Sequence, residues 1–334
     1  MDWNILGHEW AVDLLKQQIA GGRVRHAYLF SGPEGVGRRM LALRLAQALN
    51  CPNPAQPGQP CLTCSTCVRL ERMQHPDLMV IQPEEGSRVI KVEQVREVQH
   101  NLALAPYEAR YKIALFLNFQ DAHTSVPNAM LKTLEEPPPQ VIIMLTADDP
   151  DNLLPTITSR CEVLRLRPLT AEMVAEGLQS HWGIPAEQAS LLAHVTGGLP
   201  VRAVEMNEHP ELFEQRSQWL EDFCGLLNAS RTDKFAFAMR AVKEDKESIP
   251  AELQAWISLW RDVVLRSAGA SVPLVNVDWA AQVGGLAAQV NFEQACRTLS
   301  LMDQALEKIE HSNINLQLAL ETMLLEFPHL RLNN

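Results

Sequence analysis

Ser31-Gly32-Pro33-Glu34-Gly35-Val36-Gly37-Arg38-Arg39 has the glycine spacing of a phosphate-cradling loop but not its working cation. In the pattern G-x-x-x-x-G-K-[ST], backbone N–H groups turn toward the phosphates, lysine meets the β/γ oxygens and a hydroxyl holds Mg²⁺. Gly32 and Gly37 stand at the two glycine positions, with Gly35 between them, but Arg38 replaces the lysine and Arg39 the hydroxyl residue. A guanidinium keeps the positive charge in a broad, planar form. It also has donors and no acceptor, so Arg39 cannot coordinate a metal. A nucleotide can still sit in such a loop, whereas metal-assisted hydrolysis is not expected. An ordinary glycine-rich strand-to-helix turn is the simpler alternative.

Cys51, Cys61, Cys64 and Cys67 form a second constellation within one loop, C-x9-C-x2-C-x2-C. Four thiolates are what tetrahedral Zn²⁺ takes, and two-residue gaps let successive sulfurs turn onto one centre. The segment 52–60, with four prolines, has too little apolar surface to pack by itself, so a metal clip would hold it. An iron–sulfur site would want a downstream Cys-Pro, which is missing. Disulfides are disfavoured in the cytosol, where the chain is expected to work. With all four positions filled, the expected zinc is structural. Cys161, Cys224 and Cys296 are dispersed and read as small buried apolar residues. The ten histidines show no metal-type spacing, and none is assigned a function.

The elements that must position these groups alternate between strand and helix from about residue 27 to 167. Apolar runs at 27–30, 78–81, 111–117 and 141–145 read as strands. Helical patterns cover 40–49 and 128–136, with Pro127 near the first turn of the second, and Val92, Val95 and Val98 mark another helical face. Strands separated by helices imply a parallel α/β sheet with ligands at the strand C-terminal ends. Beyond Pro168 the strand signal ends. Three short helices are expected at 170–182, 186–194 and 199–206, then longer ones from Pro210, with breaks near Ser230, Ile249-Pro250 and 271–273. At 334 residues, two or three units are expected. A net charge of −11 opposes a free-standing DNA binder, because phosphate neutralisation drives that affinity. No apolar run approaches membrane-spanning length, and no signal-type segment opens the chain, so a cytoplasmic location is expected.

Two more segments are specific. Asn128-Ala129-Met130-Leu131-Lys132-Thr133-Leu134-Glu135-Glu136-Pro137-Pro138 resembles the N-A-L-L-K-T-L-E-E-P-P helix of bacterial clamp-loader subunits of the AAA+ class, and Ser159-Arg160-Cys161 resembles their Ser-Arg-Cys motif. The four cysteines fall in the matching insertion, and 313–321 resembles the last collar helix. The resemblance implies an AAA+ P-loop domain at 1–167 with a zinc module at 51–67, a helical lid at 168–208 and an all-α collar at 209–334. It implies a component of the DNA polymerase III holoenzyme that helps load the sliding clamp onto primed DNA. Motor subunits, a delta subunit, the clamp and primer-template DNA are the implied partners.

ATP-hydrolysing members of that group carry an Asp-Glu pair at the end of the third strand. Counting back from Asn128 places it at Leu117-Asn118, neither of which is a carboxylate, and Asp121 arrives too late to serve. Loop and strand end have both lost their metal chemistry, as in the non-hydrolysing member of the group. The resemblance then gives Arg160 the role of a finger acting in trans on a neighbouring subunit's ATP. On its residues alone, it reads as a helix-end arginine in a surface ion pair. Arg202 resembles a lid phosphate-sensing arginine, Thr146 and Asp148 straddle a sensor position, and Lys132 with Glu136 makes an i,i+4 pair. Two alternatives stand beside this reading: an active motor in which Arg38 replaces lysine, and a zinc-ribbon nucleic-acid binder.

Overall fold

Alternation along short apolar strands sets the two faces of one sheet. In β1 (Ala27–Ser31) Tyr28 and Phe30 enter one core and Ala27 and Leu29 the other. The computed structural model describes residues 2–84, 87, 89–311 and 314–330; Asn313, part of the expected last-helix motif, lies outside them. After α1 (Glu9–Ala20) and β1 come α2 (Arg38–Asn50), α3 (Ser65–Glu71), β2 (Leu78–Ile81), α4 (Val92–Leu102), β3 (Lys112–Phe116), α5 (Val126–Glu135), β4 (Val141–Ala147), α6 (Pro155–Thr158) and β5 (Glu162–Arg165). The strands form one parallel sheet in the order β2-β3-β4-β1-β5.

The register places Leu29 beside Leu145 and Val163, so apolar positions fall into the same layers across the sheet. Residues of α1, α2 and α3 join the Tyr28 face, while α4, α5 and α6 cover the face carrying Leu29, Phe116 and Leu145. Pro127 lies in the first turn of α5, where its missing N–H costs nothing. Glu136 caps that helix with a non-helical backbone. This corrects the expected i,i+4 pair: Lys132 and Glu136 share a backbone hydrogen bond and, among the described residues, no ion pair. β5 was not singled out as a strand. As an edge strand with one covered face, it alternates buried Leu164 with polar or exposed neighbours and lacks the apolar run of an inner strand.

The chain separates into two units, Met1–Gly177 with Gly198–Arg202, and Leu178–Gly197 with Ala203–Asn334. α7 (Ala171–Trp182) begins in the first unit, where Gly177 lies against Leu6 and an added Cβ would lie 2.2 Å from Leu6 Cδ1, and its residues from Leu178 belong to the second. In the second, α8 (Ala186–Val195) and α9 (Pro200–Glu208), which begins in the first unit, precede α10 (Pro210–Asn228), α11 (Arg231–Glu244), α12 (Ile249–Ser267), α13 (Ala280–Ala287), α14 (Phe292–His311) and α15 (Leu316–Leu325). The expected break near Ile249-Pro250 falls between α11 and α12, with Pro250 in the first turn of α12. The second unit's core is centred on Phe223, with ring centroids 5.3 Å from Trp256, 5.8 Å from Trp260 and 5.6 Å from Phe327. Buried Arg216 pairs with Asp278 at 2.8 Å and donates to Asn276. Asn276 in turn donates to Asp262, which pins the 275–278 segment to α12.

Glu252, buried on α12, is a local cost in this unit. Burial and the nearby Asp222 push its carboxyl up to about 7, with Arg240 pulling the other way. The folded pKa exceeds the unfolded one, so the folded state holds the extra proton. The contribution of Glu252 to stability is most favourable below pH ~4.3 and is lost as the pH rises through about 7. Glu252→Gln removes that slope and is expected to gain ~2–3 kcal/mol at pH 8 with little change at pH 4. Urea unfolding at the two pH values measures it.

Candidate functional site

Gly32 leaves the end of β1 with φ +146° and its backbone against Leu166 O, where an added Cβ would lie 2.2 Å away. Only glycine fits there. Gly35 and Gly37 also hold positive φ, +82° and +109°, and Gly37 leads into α2. The loop therefore ends on the N-terminus of a 13-residue helix, whose first N–H groups favour an anion. Val201 donates its backbone N–H to Gly35 O at 3.1 Å, and Arg202 Cβ lies 3.3 Å from where a Gly35 Cβ would be. Arg202 thus lies against the loop.

Arg38 runs inward from α2. Its Nη2 donates to Asn118 Oδ1 at 3.3 Å, and the Asn118 backbone N–H donates to Thr146 Oγ1 at 2.8 Å. The residue in the lysine position therefore reaches the residue in the carboxylate position, across the C-terminal ends of β1, β4 and β3. Burial lowers the Arg38 pKa from its ordinary value, against the opposing pull of Asp148, Glu34 and Asp121. Asp148 accepts from Asp149 N–H and Asn152 Nδ2, so its oxygens are engaged in their own turn. Asp121 lies in the 3-10 turn Phe119–Asp121, beyond the strand end. The contact from Arg38 to Asn118 had no sequence signal, because 80 residues separate the partners.

The four cysteines converge. All their Sγ atoms lie within 4.8 Å of one another, with Cys51–Cys61 at 3.5 Å and Cys61–Cys67 at 4.0 Å. A tetrahedron of thiolates around Zn²⁺ has sulfurs about 3.8 Å apart, whereas a disulfide needs about 2.05 Å. The donor set and spacing therefore suit a four-thiolate metal ion. Backbone N–H groups of Cys61, Cys64 and Cys67 each point at the preceding cysteine's sulfur at 3.4 Å, which favours thiolate. The N–H groups of Thr63 and Cys64 bring the Cys61 thiol down to about 6, whereas burial holds the Cys51 and Cys67 thiols above their ordinary value. The surroundings anchor this loop. Trp3 Nε1 donates to Gly58 O at 2.8 Å, Gln47 Nε2 to Cys67 O at 2.7 Å, and Cys64 caps α3. Of the three dispersed cysteines expected to be buried, only Cys224 is, while Cys161 and Cys296 are half-buried; burial pushes the Cys161 and Cys224 thiols up to about 12.

Arg160 follows α6 at the surface. Its Nη1 donates to Thr156 O at 2.8 Å and its Nη2 pairs with Glu135 at the end of α5. Helix and motif, read separately in the sequence, are thus joined through this ion pair. Sequence reading also passed over Asp77, a buried carboxylate that accepts backbone N–H groups from Tyr107, Glu108 and Ala109 at 2.6, 2.9 and 2.9 Å. A short Pro-Asp step before β2 was the signal available for it.

Comparison with known proteins places this arrangement. A family model described as DNA polymerase III, delta subunit matches residues 7–170, and its C-terminal counterpart matches 210–329. DNA polymerase III subunit delta' of Pseudomonas aeruginosa is 33% identical over 254 residues, 74% of each chain. The chain belongs to the DNA polymerase III subunit delta' family. The delta' subunit of Bacillus subtilis is 29% identical over 316 residues, 93% of each chain. The tau subunit of Escherichia coli is 37% identical over 176 residues, 53% of this chain and 27% of its own. Similarity to tau thus covers about half of this delta' chain, and similarity to delta' extends through both units. Among the described residues no helix is long and apolar enough to cross a membrane.

Proposed function

We propose that this chain is the non-hydrolysing delta' component of a DNA polymerase III clamp loader. It helps to load a sliding clamp onto primed DNA and lends Arg160 to the ATP site of a neighbouring motor subunit. The observation that carries the first half is the bond from Arg38 to Asn118. A guanidinium stands where ammonium and metal act in a motor, and an amide stands where a carboxylate would hold the metal or water. The second half rests on Arg160 in its Ser-Arg-Cys setting. It is partly exposed, its cis partner is a surface carboxylate, and such pairs exchange readily for a phosphate.

The parts divide the work as follows. The P-loop domain at 1–167 holds Arg160 on a stiff sheet. The lid at 168–208 and the collar at 209–334 hold the subunit in register with motor and delta partners, and the domain acts in the cytoplasm. The four cysteines hold a structural zinc that supplies cohesion to the 51–67 loop and no reaction step, since every coordination position is taken.

The test uses the isolated full chain with Mg²⁺ and ATP, then the same chain assembled with motor and delta subunits. The isolated chain is expected to show no turnover above background, and the assembly to hydrolyse ATP in response to clamp and primed DNA. Motor-like, Mg²⁺-dependent turnover by the isolated chain, abolished when Arg38 is changed, would overturn this reading.

A further inference from the structure

Residues 103–110, between α4 and β3, are gripped at several points by polar groups while their tip faces out. Asp77 is 1% exposed, and its carboxylate accepts the backbone N–H groups of Tyr107, Glu108 and Ala109. Buried Lys112 donates Nζ to the carbonyls of Asn101 at 2.9 Å and Leu104 at 3.2 Å. Asn50 of α2 closes the far end, donating to Tyr111 O at 3.0 Å and accepting from Tyr111 N–H at 2.8 Å. Glu108 pairs with Arg69 of α3 and lies 3.2 Å from His75 Nε2. Yet Tyr107 is 84% exposed and Leu104 56%, and neither belongs to the core on either face of the sheet. Burying a carboxylate and an ammonium is unfavourable even when both find partners. Here the two buried charges fix backbone, and the backbone they fix holds an aromatic and an aliphatic side chain out in water.

We infer that the 103–110 loop is a preformed docking surface for a folded protein partner that presents an apolar pocket rimmed by carboxylates. Tyrosine brings a large apolar area and one hydroxyl at low rotamer entropy, and tyrosine and arginine dominate interface energies. Ordering the loop before the encounter removes an entropy cost that a loose loop would meet on binding. Charge around the tip describes the partner's rim. Glu108 is neutralised by Arg69, and Glu71 by Arg44. Arg110, 5.3 Å from the Tyr111 ring centroid, and Arg72, at the end of α3, have no carboxylate partner among the described residues. The local balance is therefore positive in a chain of net charge −11. A single-stranded nucleic acid also takes an aromatic ring and a cation. Leu104 offers nothing to a phosphate, however, and two unpaired arginines are few for a site that phosphate neutralisation would drive. A protein pocket uses all of these groups. Arg160 precedes β5, three strands across the sheet from β3, so this surface is separate from the proposed finger.

The choice of probes rests on the clamp-loader reading. Surface plasmon resonance measures the full chain against motor and delta subunits, and the assembled loader against the sliding clamp and primed DNA. Leu104→Ser combined with Tyr107→Ser is expected to weaken one protein probe about tenfold or more, the scale of an interface anchor. Its melting temperature should not change, because both side chains are exposed. Arg110→Glu is expected to weaken the same probe about threefold, chiefly by slowing association, with the effect fading in high salt. Asp77→Asn, a buried change, should weaken that probe too and open the loop to proteolysis; the double surface variant decides where Asp77→Asn does not fold. Unchanged affinity of the double variant for every protein probe overturns the inference. A loss confined to primed DNA also overturns it and makes the loop a nucleic-acid contact. A wild-type chain that binds none of the probes overturns the clamp-loader reading as well, so the two fail in distinguishable ways.

Discussion

If Arg160 acts as proposed, Arg160→Ala is expected to leave the reconstituted clamp loader assembled and to lower ATP turnover at the neighbouring site by roughly 10³-fold or more, the scale of an arginine finger. The geometry allows both halves of that result. Arg160 is held by the Thr156 carbonyl and by Glu135, and its side chain is about one-third exposed. An exposed pair of this kind contributes about 0–1 kcal/mol to folding, so its loss does not unfold the domain. A phosphoryl group gathering charge offers more to the same donors than one carboxylate does. Arg160→Lys should recover little, because an ammonium cannot reproduce the planar fork. Size-exclusion chromatography checks assembly, and steady-state turnover with clamp and primed DNA checks the rate. Unchanged turnover in an intact Arg160→Ala complex removes the finger from the account.

Stripping the metal from the cysteine cluster is the second large effect expected, and it acts on structure. Structural zinc in small modules is worth on the order of 10 kcal/mol, and inside a larger host part of that is retained by packing. Residues 52–57 are exposed, and Trp3 to Gly58 and Gln47 to Cys67 are among the hydrogen bonds that tether the loop to the N-terminal segment and α2. Chelation, or Cys67→Ser, should therefore expose 51–64 to proteolysis and lower the melting temperature of the first unit. The core of Phe223, Trp256 and Trp260 in the second unit should be unaffected. Cys161→Ser should change neither metal content nor protease resistance, because that thiol lies outside the cluster. Metal analysis, limited proteolysis and calorimetry together decide. A preparation that holds no metal and yet resists protease at 51–64 would remove zinc as the clip.

Much of this could be read along the chain because local spacing carries it. Glycines at 32, 35 and 37, cysteines two residues apart, apolar strands at 27–30 and 141–145 and prolines at helix starts each act within a few residues. There, backbone geometry and side-chain period leave few choices. The edge strand β5 escaped because an edge has only one covered face and so a weaker apolar signal. The pair Lys132–Glu136 was expected from spacing and did not form, because the helix ends one residue before Glu136 and turns its backbone away.

By itself, the sequence determined the α/β class, the loop's missing lysine and hydroxyl and the four-thiolate set, whereas the finger role of Arg160 came only from the family resemblance. Tertiary structure alone decided what those groups face. It set Arg38 against Asn118, tied Arg160 to Glu135, and left Arg38 Nη1 buried without a hydrogen-bond partner among the described residues. The reason is physical. Residue type and short spacing limit which chemistry a group can perform, but contacts across 25 or 80 positions depend on the order of strands in the sheet. That order is settled by burying both faces of the sheet at once, a condition on the whole domain that no short segment contains.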